Sequence, residues 1–371
     1  MNISVARNNL YKALQKVINV IPTKTTIEVL YNVLISTENK KLKIVATDLE
    51  ITQIAWCNCD VSEEGSIALP GKLLSDILRE MPETNLQFKI DSDFNINIES
   101  SFGEYKLSGQ NKNDFPSIPT LDSEDSINIK NKILKRMIEK TIFACSTDNL
   151  RPALTGVFFQ IFNDHIRMVS TDGHRLVKIV NTGFKSENIQ RDLIIPTRAL
   201  NLVARNVGEE GEQEIVLGKN HVLFKFPDTV IYTRIISDPY PDYERVIPEN
   251  NSKELLINRE NFIASVKRVS LFSNPISYQI KMNVSENKVN IYAQDIDFGG
   301  EAHEVIDCKF SSPELAIAYN ANYLLDNLRH IDTEEVKFTL ENSDGPGLIY
   351  PMKQKENEEL VMLVMPVRLS S

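Results

Sequence analysis

The chain has 371 residues, more than one hydrophobic core usually organises, so two or three domains are expected. Hydrophobic residues make up 42% and charged residues 25%, as in ordinary globular proteins, and no apolar run approaches the length that spans a bilayer. The first residues lack a basic segment followed by an apolar one, so we expect a cytoplasmic protein without a secretory leader. The net charge of −10 argues against nucleic acid as a partner unless the positive charge is concentrated on one surface.

Three segments of the chain open alike, with a short alternating strand followed by an amphipathic helix. The strands are predicted at 2–5, 127–130 and 255–258, and the helices at 7–20, 131–142 and 259–270. The apolar residues of the first helix recur at helical spacing: Leu10, Leu14, Val17, Ile18 and Ile21. This pattern predicts one buried stripe on each opening helix.

Two further landmarks recur at intervals of 123 to 126 residues. A Thr-Asp or Gln-Asp step stands between two strands at 47–48, 171–172 and 294–295. A strand then ends at a turn before a second helix, predicted over 72–80, 197–206 and 321–329. Because unrelated landmarks share one period, the sequence predicts three repeats, each with two helices on one face of an antiparallel sheet, an α+β unit.

Proline and acidic residues mark two connections between the repeats. The first covers 114–119 and the acidic stretch 122–125, and the second covers 239–243 and 248–251. Such segments form extended, solvated links. We therefore expect domain boundaries near residues 125 and 252, which gives three domains over 1–125, 126–251 and 252–371.

The positive charge of the sequence is concentrated in the six predicted helices. They contain 15 basic and 5 acidic residues and so carry a net charge of +10, which leaves −20 for the rest of the chain. If the helices share one surface, that surface attracts phosphates without reading bases, and its affinity falls with salt. The alternative is that basic helix faces only aid solubility.

Four local motifs occur in an order that is specific as a set. They are Arg-Pro-Ala-Leu-Thr-Gly at 151–156, Ser-Thr-Asp-Gly-His-Arg-Leu at 170–176, Tyr-Pro-Asp-Tyr at 240–243 leading to Arg-Val-Ile-Pro at 245–248, and Val-Met-Pro-Val-Arg-Leu at 364–369. With the threefold repeat and the basic helices, the chain resembles the bacterial sliding clamp, the DNA polymerase III beta subunit family, over its whole length.

The resemblance implies three topologically equivalent clamp domains per chain and a head-to-tail homodimer that closes a ring of six. Twelve helices would line the hole and a continuous antiparallel sheet would face outward. The implied function is to encircle duplex DNA without sequence specificity and to confer processivity on the replicative polymerase. Family positions that face DNA match Lys12, Lys24, Lys72, Arg151 and Arg198. Asp148 stands where some members have an amide, which would weaken one phosphate contact.

The family also has a peptide pocket between its second and third domains. The polymerase III alpha subunit, the clamp loader and other proteins dock a short motif there. The matching positions are Leu154, Thr171, Gly173, His174, Arg175, Leu176, Pro241, Arg245, Val246, Asn320, Tyr323, Met365, Pro366, Val367 and Arg368. Apolar walls with a flexible methionine suit an extended peptide with apolar anchors. Val367 replaces a frequent methionine, and the loop 344–347 differs, so partner preference at that wall is open.

The closing interface of the family pairs the first domain of one chain with the third domain of the other. Matching positions are Tyr105 and Leu107 opposite Leu271 and Phe272. The alternative for Leu271 and Phe272 is the core of their own domain.

Catalysis and metal binding find little support in the sequence. Asp172, His174 and Cys145 could suggest nucleophilic chemistry, but no oxyanion site or phosphate-binding motif accompanies them. Cys57 and Cys59 lack a second ligand pair for a metal, so they are interpreted as small core residues. We therefore expect no enzyme activity, no cofactor and no disulfide. A scaffold that binds proteins but not DNA is a third possibility, against which the helix charge argues.

Overall fold

The structure is a computed structural model that describes residues 1–91, 93–121, 125–186, 188–295 and 299–368. Residues 122–124 of the predicted first linker lie outside the described residues, as do residue 369 of the last motif and residues 370–371.

Six α-helices lie within these ranges, at the positions predicted from the sequence. They are α1 Arg7–Val17, α2 Gly71–Glu80, α3 Asn131–Thr141, α4 Thr197–Asn206, α5 Arg259–Ser270 and α6 Ala321–Arg329. α1 ends three residues earlier than predicted because Ile18–Val20 tightens into a 3₁₀ turn. Asn258 and Asn320 cap α5 and α6 by accepting hydrogen bonds from main-chain N–H groups of the first turn.

The strands follow the threefold repeat of the sequence. The first repeat contains β1 Asn2–Ala6, β2 Asn32–Glu38, β3 Lys41–Thr47, β4 Ile51–Asn58, β5 Asp60–Glu63, β6 Ser66–Pro70, β7 Asn85–Ile90, β8 Asn95–Ser100 and β9 Gly103–Ser108. The second contains β10 Ser126–Lys130, β11 Gly156–Ile161, β12 Ile166–Thr171, β13 Arg175–Asn181, β14 Arg191–Pro196, β15 Glu212–Leu217, β16 His221–Phe226 and β17 Thr229–Arg234. The third contains β18 Lys253–Asn258, β19 Gln279–Ser285, β20 Lys288–Asp295, β21 Gly300–Phe310, β22 Leu315–Asn320, β23 Glu335–Leu340, β24 Gly347–Pro351 and β25 Glu358–Val364.

The chain forms two compact units, and unit 1 comprises residues 1–135 and 198–235. It contains a five-stranded sheet, β5-β1-β7-β8-β9, and an eight-stranded sheet, β10-β15-β16-β17-β4-β3-β2-β6. α1 packs on β4 and on α2. Leu10, Leu14 and Val17, part of the predicted stripe, are completely buried, so the helical spacing in the sequence does form this core.

Unit 2 comprises residues 136–197 and 236–371. It contains one twelve-stranded sheet, β14-β11-β12-β13-β25-β24-β23-β18-β21-β20-β19-β22. α5 and α6 pack on each other, and the ring of Phe262 meets that of Phe338 edge to face at 5.9 Å between centroids. Phe262, Val266 and Val269, the apolar positions of α5, are buried.

The sheets continue from one repeat into the next, as the family resemblance implied. β17 of the second repeat pairs antiparallel with β4 of the first, and β25 of the third pairs antiparallel with β13 of the second. Each such pairing covers strand edges that would otherwise be open. Because it also joins strands of different repeats, the compact units do not coincide with the expected domains. The boundaries near 125 and 252 stay a prediction about the repeats.

No helix in the described ranges combines the length and the apolar character needed to cross a membrane.

Candidate functional site

A tight turn joins β12 to β13 in unit 2 and carries the motif at 170–176. The Gly173 N–H donates to Oγ1 of Thr171 at 3.0 Å, and that hydroxyl donates to the carbonyl of Arg175 at 2.6 Å. Oδ1 of Asp172 accepts from the N–H groups of His174 and Arg175. Gly173 has φ +92°, a conformation that favours glycine. The turn is thus fixed by its own side chains.

A cavity of about 290 Å³ opens beside this turn. It is lined by Leu154, Thr171, Gly173, His174, Arg175, Leu176, Pro241, Asp242, Tyr243, Val246, Leu363 and Met365. The Met365 N–H donates to the carbonyl of His174 at 2.8 Å, which brings the end of β25 to the turn. The lining is mostly apolar, which suits hydrophobic anchors rather than a charged ligand.

The floor of the cavity belongs to a buried cluster between the sheet and the segment 240–247. Phe158 stacks on Tyr240 at 4.6 Å between ring centroids. The hydroxyl of Tyr243 accepts from Arg167 at 2.6 Å and lies 2.8 Å from Gln160. These contacts hold Tyr243 rigidly, so the cavity wall is largely formed in the absence of a ligand.

Arg175 connects the cavity to the helices of unit 2. Its guanidinium bonds Asp172 at 3.1 Å, Asp326 of α6 at 2.7 Å and the carbonyl of Phe143 at 2.8 Å. The same group lies over the ring of Tyr323 at 4.9 Å. Only 9% of Arg175 is exposed, and a cation buried to this extent requires such a set of acceptors.

Several residues predicted for the pocket lie outside this cavity. Arg245 is exposed and pairs with Asp242 at 2.7 Å. Tyr323 adjoins the cavity through a stack on His174 at 5.7 Å. Asn320 caps α6, and the Val367 N–H donates to Ala318 as the chain leaves the cavity with Pro366 and Arg368. Conversely, three residues line the cavity without having been predicted for it. Asp242 and Tyr243 lie within the motif at 240–243, and Leu363 directly precedes the motif at 364–369.

The positions predicted to face DNA differ in their surroundings. Lys12, Lys24 and Lys72 are exposed and form no ion pair within the described parts of the chain. Arg151 pairs with Asp148 at 3.2 Å. Arg198 is bonded to Asp48 and donates to the carbonyl of Val20 at 2.9 Å. Thus the three lysines are available for phosphates, whereas the two arginines already have partners.

Acidic residues outside the helices neutralise part of the helical charge. Lys135 pairs with Glu209 at 2.6 Å in unit 1. In unit 2, Arg136 and Lys140 of α3 both bond Asp332, at 2.6 Å and 2.7 Å. Hydrogen bonds from these two cations lower the pKa of the Asp332 carboxyl although burial opposes them. The helical charge of +10 therefore overstates the positive charge that is free to bind a partner.

The predicted interface residues lie at two places. Leu271 follows α5 and is 81% exposed, and Phe272 is 43% exposed, so neither belongs to the core of its own unit. Tyr105 is half-buried and Leu107 buried on β9. The alternative that Leu271 and Phe272 are core residues is wrong.

Cys145 and Asp172 do not have the surroundings that the nucleophile hypothesis requires. Burial raises the pKa of the Cys145 thiol to about 11, so it is protonated at neutral pH. The carboxylate of Asp172 is engaged by the turn and by Arg175.

Comparisons with known proteins agree over the whole chain. Models of the DNA polymerase III beta subunit match its N-terminal domain at residues 1–119, its central domain at 128–242 and its C-terminal domain at 244–368. The beta sliding clamp of Chlamydia muridarum is 30% identical over 369 residues, covering 100% of this chain and 99% of the relative. That of Pseudomonas aeruginosa is 28% identical over 372 residues, covering 100% of both.

Solved structures show the same fold. A crystal structure of the DNA polymerase III subunit beta from Pseudomonas aeruginosa superposes with a TM-score of 0.94 at 28% identity, over 100% of both chains. A DnaN sliding clamp from Bartonella birtlesii bound to griselimycin gives 0.93 at 28% identity, again over 100% of both. The three repeats of helices and antiparallel strands thus define a DNA-clamp fold. The chain belongs to the family of the DNA polymerase III beta subunit, the beta sliding clamp.

Proposed function

We propose that this protein is a DNA sliding clamp that encircles duplex DNA and tethers the replicative polymerase to it. The observation that carries the proposal is the match of all three repeats, in order and over the full length, to beta sliding clamps. The role is one of binding rather than catalysis, and it places the protein in the cytoplasm with the chromosome.

Duplex DNA is held in this proposal by phosphate contacts from exposed basic residues. Lys12, Lys24 and Lys72 supply free ammonium groups, and Arg151 and Arg198 contribute after exchanging their acidic partners for phosphates. Contacts of this kind carry no base information, so the protein can move along the duplex. The pairing of Arg151 with Asp148 weakens one of these contacts.

The apolar cavity of unit 2 is the proposed docking site for the polymerase III alpha subunit, the clamp loader and other partners. Its size and lining suit one or two apolar side chains of an extended peptide. Met365 can adapt its shape to different anchors. Arg245, Asn320, Tyr323 and 366–368 lie outside the cavity and are assigned to the flanking residues of the peptide.

Unused strand edges support a head-to-tail dimer. In each unit, the strand after the Thr-Asp step pairs with the last strand of the following repeat, β4 with β17 and β13 with β25. The third such strand is β21, which pairs with β18 only near its end, so most of that edge is open. β9, the last strand of the first repeat, is the edge strand of the five-stranded sheet. Pairing β21 of one chain with β9 of another closes a ring of six repeats.

This pairing also uses the exposed apolar residues near β21. The side chain of Phe272 lies against Gly300, the first residue of β21. Leu271 and Phe272 would then meet Tyr105 and Leu107 of the second copy.

Topological linkage to DNA tests the proposal. The protein is loaded with the clamp loader of the same organism and ATP onto nicked circular DNA, the complex is isolated by gel filtration, and the DNA is then cut once. A clamp co-elutes with the circle in moderate salt and is released once the DNA has ends. Failure to co-elute, or retention after linearisation, contradicts encirclement and leaves a protein scaffold or a conventional DNA-binding protein.

A double substitution at the proposed interface sharpens this experiment. Leu271→Ala with Phe272→Ala should abolish retention on the circle and yield monomers in sedimentation. Met352→Ala, which truncates a similarly exposed apolar side chain elsewhere on unit 2, is the matched control and should behave like the wild type.

A further inference from the structure

The first strand of each repeat has an equivalent place in its sheet. β1 pairs with β7, β10 pairs with β15, and β18 pairs with β23, always antiparallel. In two of the repeats the other edge of this strand is paired as well, because β5 covers β1 and the end of β21 covers β18. Within the described part of the chain, β10 pairs only with β15 and is an edge strand of the eight-stranded sheet. The second repeat therefore has an open edge where the other two repeats have a strand.

The alternation of hydrogen bonds between antiparallel strands shows which main-chain groups of β10 point to this open edge. The Asn131 N–H, just after β10, donates to the carbonyl of Gly211 at 2.9 Å. Just before β10, the carbonyl of Asp125 accepts from the Leu217 N–H at 2.8 Å. In the register of the two strands, the odd-numbered residues of β10 therefore bond β15. The even-numbered residues direct their main-chain groups away from β15.

These even-numbered residues are Ser126, Asn128 and Lys130. Asn128 and Lys130 are exposed, and Ser126 is half-buried. The N–H groups of all three and the carbonyls of Ser126 and Asn128 have no hydrogen-bond partner among the residues that the structure describes. A row of unpaired groups on an exposed edge is a template on which an extended segment can add as a further strand.

The part of this chain that would supply such a strand is bonded elsewhere. In the first repeat the covering strand β5 directly follows β4, and in the third repeat the covering residues are the end of β21. The equivalent strand of the second repeat is β13, and 182–186 and 188–190 after it form no strand. Instead, the Ser186 N–H donates to Asn163 at 3.0 Å, and the Ser186 hydroxyl donates to the carbonyl of Phe162 at 3.1 Å.

The covering strands of the other two repeats show which chemistry this edge accepts. Cys308 and Phe310 of β21 lie opposite buried residues of β18 and are buried themselves. Val61 of β5 lies half-buried opposite the buried Ile3. Lys309, between the two buried residues of β21, is exposed. A strand that occupies the edge of β10 therefore alternates apolar residues, facing the core, with polar residues, facing solvent.

The charge of the occupant follows from Lys130. Its ammonium group forms no ion pair within the described ranges, and Glu212, its cross-strand neighbour on β15, does not bond it either. A residue that an added strand places directly opposite Lys130 comes within reach of this cation. An acidic residue at that position is therefore favoured.

We propose that β10 binds an extended, acidic segment of a partner protein as an added antiparallel strand. The residues of this segment opposite Ile127 and Ile129 are apolar, those opposite Ser126 and Asn128 are polar, and the one opposite Lys130 is Asp or Glu. The proposed dimer uses β9 and β21, and the proposed peptide pocket lies in unit 2, so neither occupies this edge.

A peptide of matching pattern tests the proposal on the full-length protein. The probe is acetyl-Glu-Val-Thr-Val-Thr-amide, which places its glutamate opposite Lys130. Binding of a fluorescent form should raise its anisotropy saturably. A peptide of the same composition without alternation, acetyl-Val-Val-Glu-Thr-Thr-amide, should bind at least about tenfold more weakly.

Amide hydrogen exchange locates the bound peptide. The probe should slow exchange at Asn128 and Lys130, whose N–H groups point to the open edge. Exchange at Ile127 and Ile129 should not change, because their N–H groups already bond β15. This alternation is specific to an added strand.

Two substitutions of one residue separate the main chain from the side chain. Asn128→Pro removes an N–H that points to the open edge and leaves the bonds to β15, and proline is tolerated in edge strands. It should weaken binding of the probe at least about tenfold. Asn128→Ala retains the N–H and should bind nearly as the wild type does. Urea denaturation followed by circular dichroism verifies that both variants are folded.

A charge reversal tests the acidic position independently. Lys130→Glu should weaken binding of the probe at least about threefold and should favour acetyl-Lys-Val-Thr-Val-Thr-amide instead.

Four outcomes overturn the proposal. They are no saturable binding of the probe, equal binding of the peptide without alternation, equal effects of the two Asn128 variants, and slowed exchange at 173–176 in place of Asn128 and Lys130. The last result would assign the probe to the peptide pocket. Slowing of the Asn128 and Lys130 amides by protein concentration alone would identify a second copy of this chain as the occupant and would also contradict the proposal.

Discussion

Two places where consecutive repeats share a sheet have the same turn but different surfaces. Junction 1 is the turn 47–51 of unit 1, where β4 meets β17, and junction 2 is the turn 171–175 of unit 2, where β13 meets β25. In junction 1 the Leu49 N–H donates to Thr47 at 3.1 Å, and in junction 2 the Gly173 N–H donates to Thr171 at 3.0 Å. The backbone conformation of this turn is therefore common to both repeats.

The side chains differ at four equivalent positions. Leu49, at φ +78°, stands where junction 2 has Gly173, and Ile51 stands where it has Arg175. Arg234 donates its N–H to Glu50 just as Met365 donates to His174, and its side chain pairs with Glu50 at 3.3 Å. A small residue, a buried cation and a methionine thus accompany the apolar cavity, whereas a leucine and a surface ion pair occupy the equivalent positions of junction 1.

Removal of the buried cation should have the largest effect. Arg175→Ala leaves Asp172 and Asp326 without their common partner, which should destabilise unit 2 by about 3–5 kcal/mol. Urea denaturation followed by circular dichroism measures the loss. Arg175→Lys should recover only part of it, because an ammonium group cannot reproduce the fork of bonds. A loss below about 1 kcal/mol, typical of surface pairs, would show that Arg175 does not organise junction 2.

Filling the glycine position should convert junction 2 toward junction 1. Gly173→Leu places a side chain at the cavity mouth. If the polymerase III alpha subunit docks there as proposed, its affinity should fall at least about tenfold, the equivalent of 1.4 kcal/mol. The left-handed conformation should cost about 1–2 kcal/mol of stability. Surface plasmon resonance and thermal unfolding measure the two effects.

Two further variants separate the effect of backbone strain from the effect of a side chain that fills the cavity mouth. Gly173→Ala introduces a similar strain with a much smaller side chain and should retain most of the affinity. Leu49→Gly should relieve strain in junction 1 without creating a binding site, since Ile51 and Arg234 remain. Undiminished binding by Gly173→Leu would contradict the role assigned to this glycine.

Protonation of His330 should weaken junction 2 at acid pH. The imidazole stacks on Phe143 at 3.8 Å, and Nδ1 donates to the carbonyl of Asp326 at 2.7 Å. Burial and the nearby cations Lys140 and Arg175 lower its pKa from the ordinary 6.5. Because the folded protein favours the neutral ring, this contribution to stability is complete above pH 6.5 and is lost as pH falls through the lowered pKa.

The His330→Gln variant isolates this contribution. Thermal unfolding at pH 8 and at pH 5.5 should show a smaller acid-induced loss for the variant than for the wild type. The same pH dependence in both proteins would remove His330 from the account.

The surface pair of junction 1 should have the smallest effect. Arg234 and Glu50 are both more than half exposed, so Arg234→Ala should change the free energy of unfolding by less than about 1 kcal/mol. Salt should abolish even that difference in urea denaturation. A loss as large as that of Arg175→Ala would mean that the two junctions are held in the same way.

Periodicity alone predicted the helices well because their buried stripes are local. α4, α5 and α6 have the predicted bounds, and the α+β class with antiparallel strands is confirmed. The resemblance implied a continuous sheet, but the particular pairings of β4 with β17 and of β13 with β25 were not predictable from local patterns, since the partners are over 170 residues apart. For the same reason, the charge sum did not reveal that Asp332 neutralises Arg136 and Lys140.

The lining of the cavity was predicted in part through the family resemblance, and its use by a peptide stays a prediction. The motif at 170–176 gave the turn and Arg175, because short-range hydrogen bonds fix it, but Leu363 lines the cavity only through the pairing of β25 with β13. The internal repeat makes the turns at 47–48 and 171–172 look alike in the sequence. The repeat alone therefore did not indicate that only the second turn, through the pairing of β25 with β13, adjoins the cavity.

Hydrogen exchange with and without the polymerase III alpha subunit of the same organism observes both junctions in one experiment. If partners dock in the apolar cavity, binding slows exchange of main-chain amides at 173–176 and 363–365 and leaves those at 49–51 unchanged. Equal protection of both turns, or protection of the turn at 49–51 alone, would contradict the assignment of the partner site to junction 2.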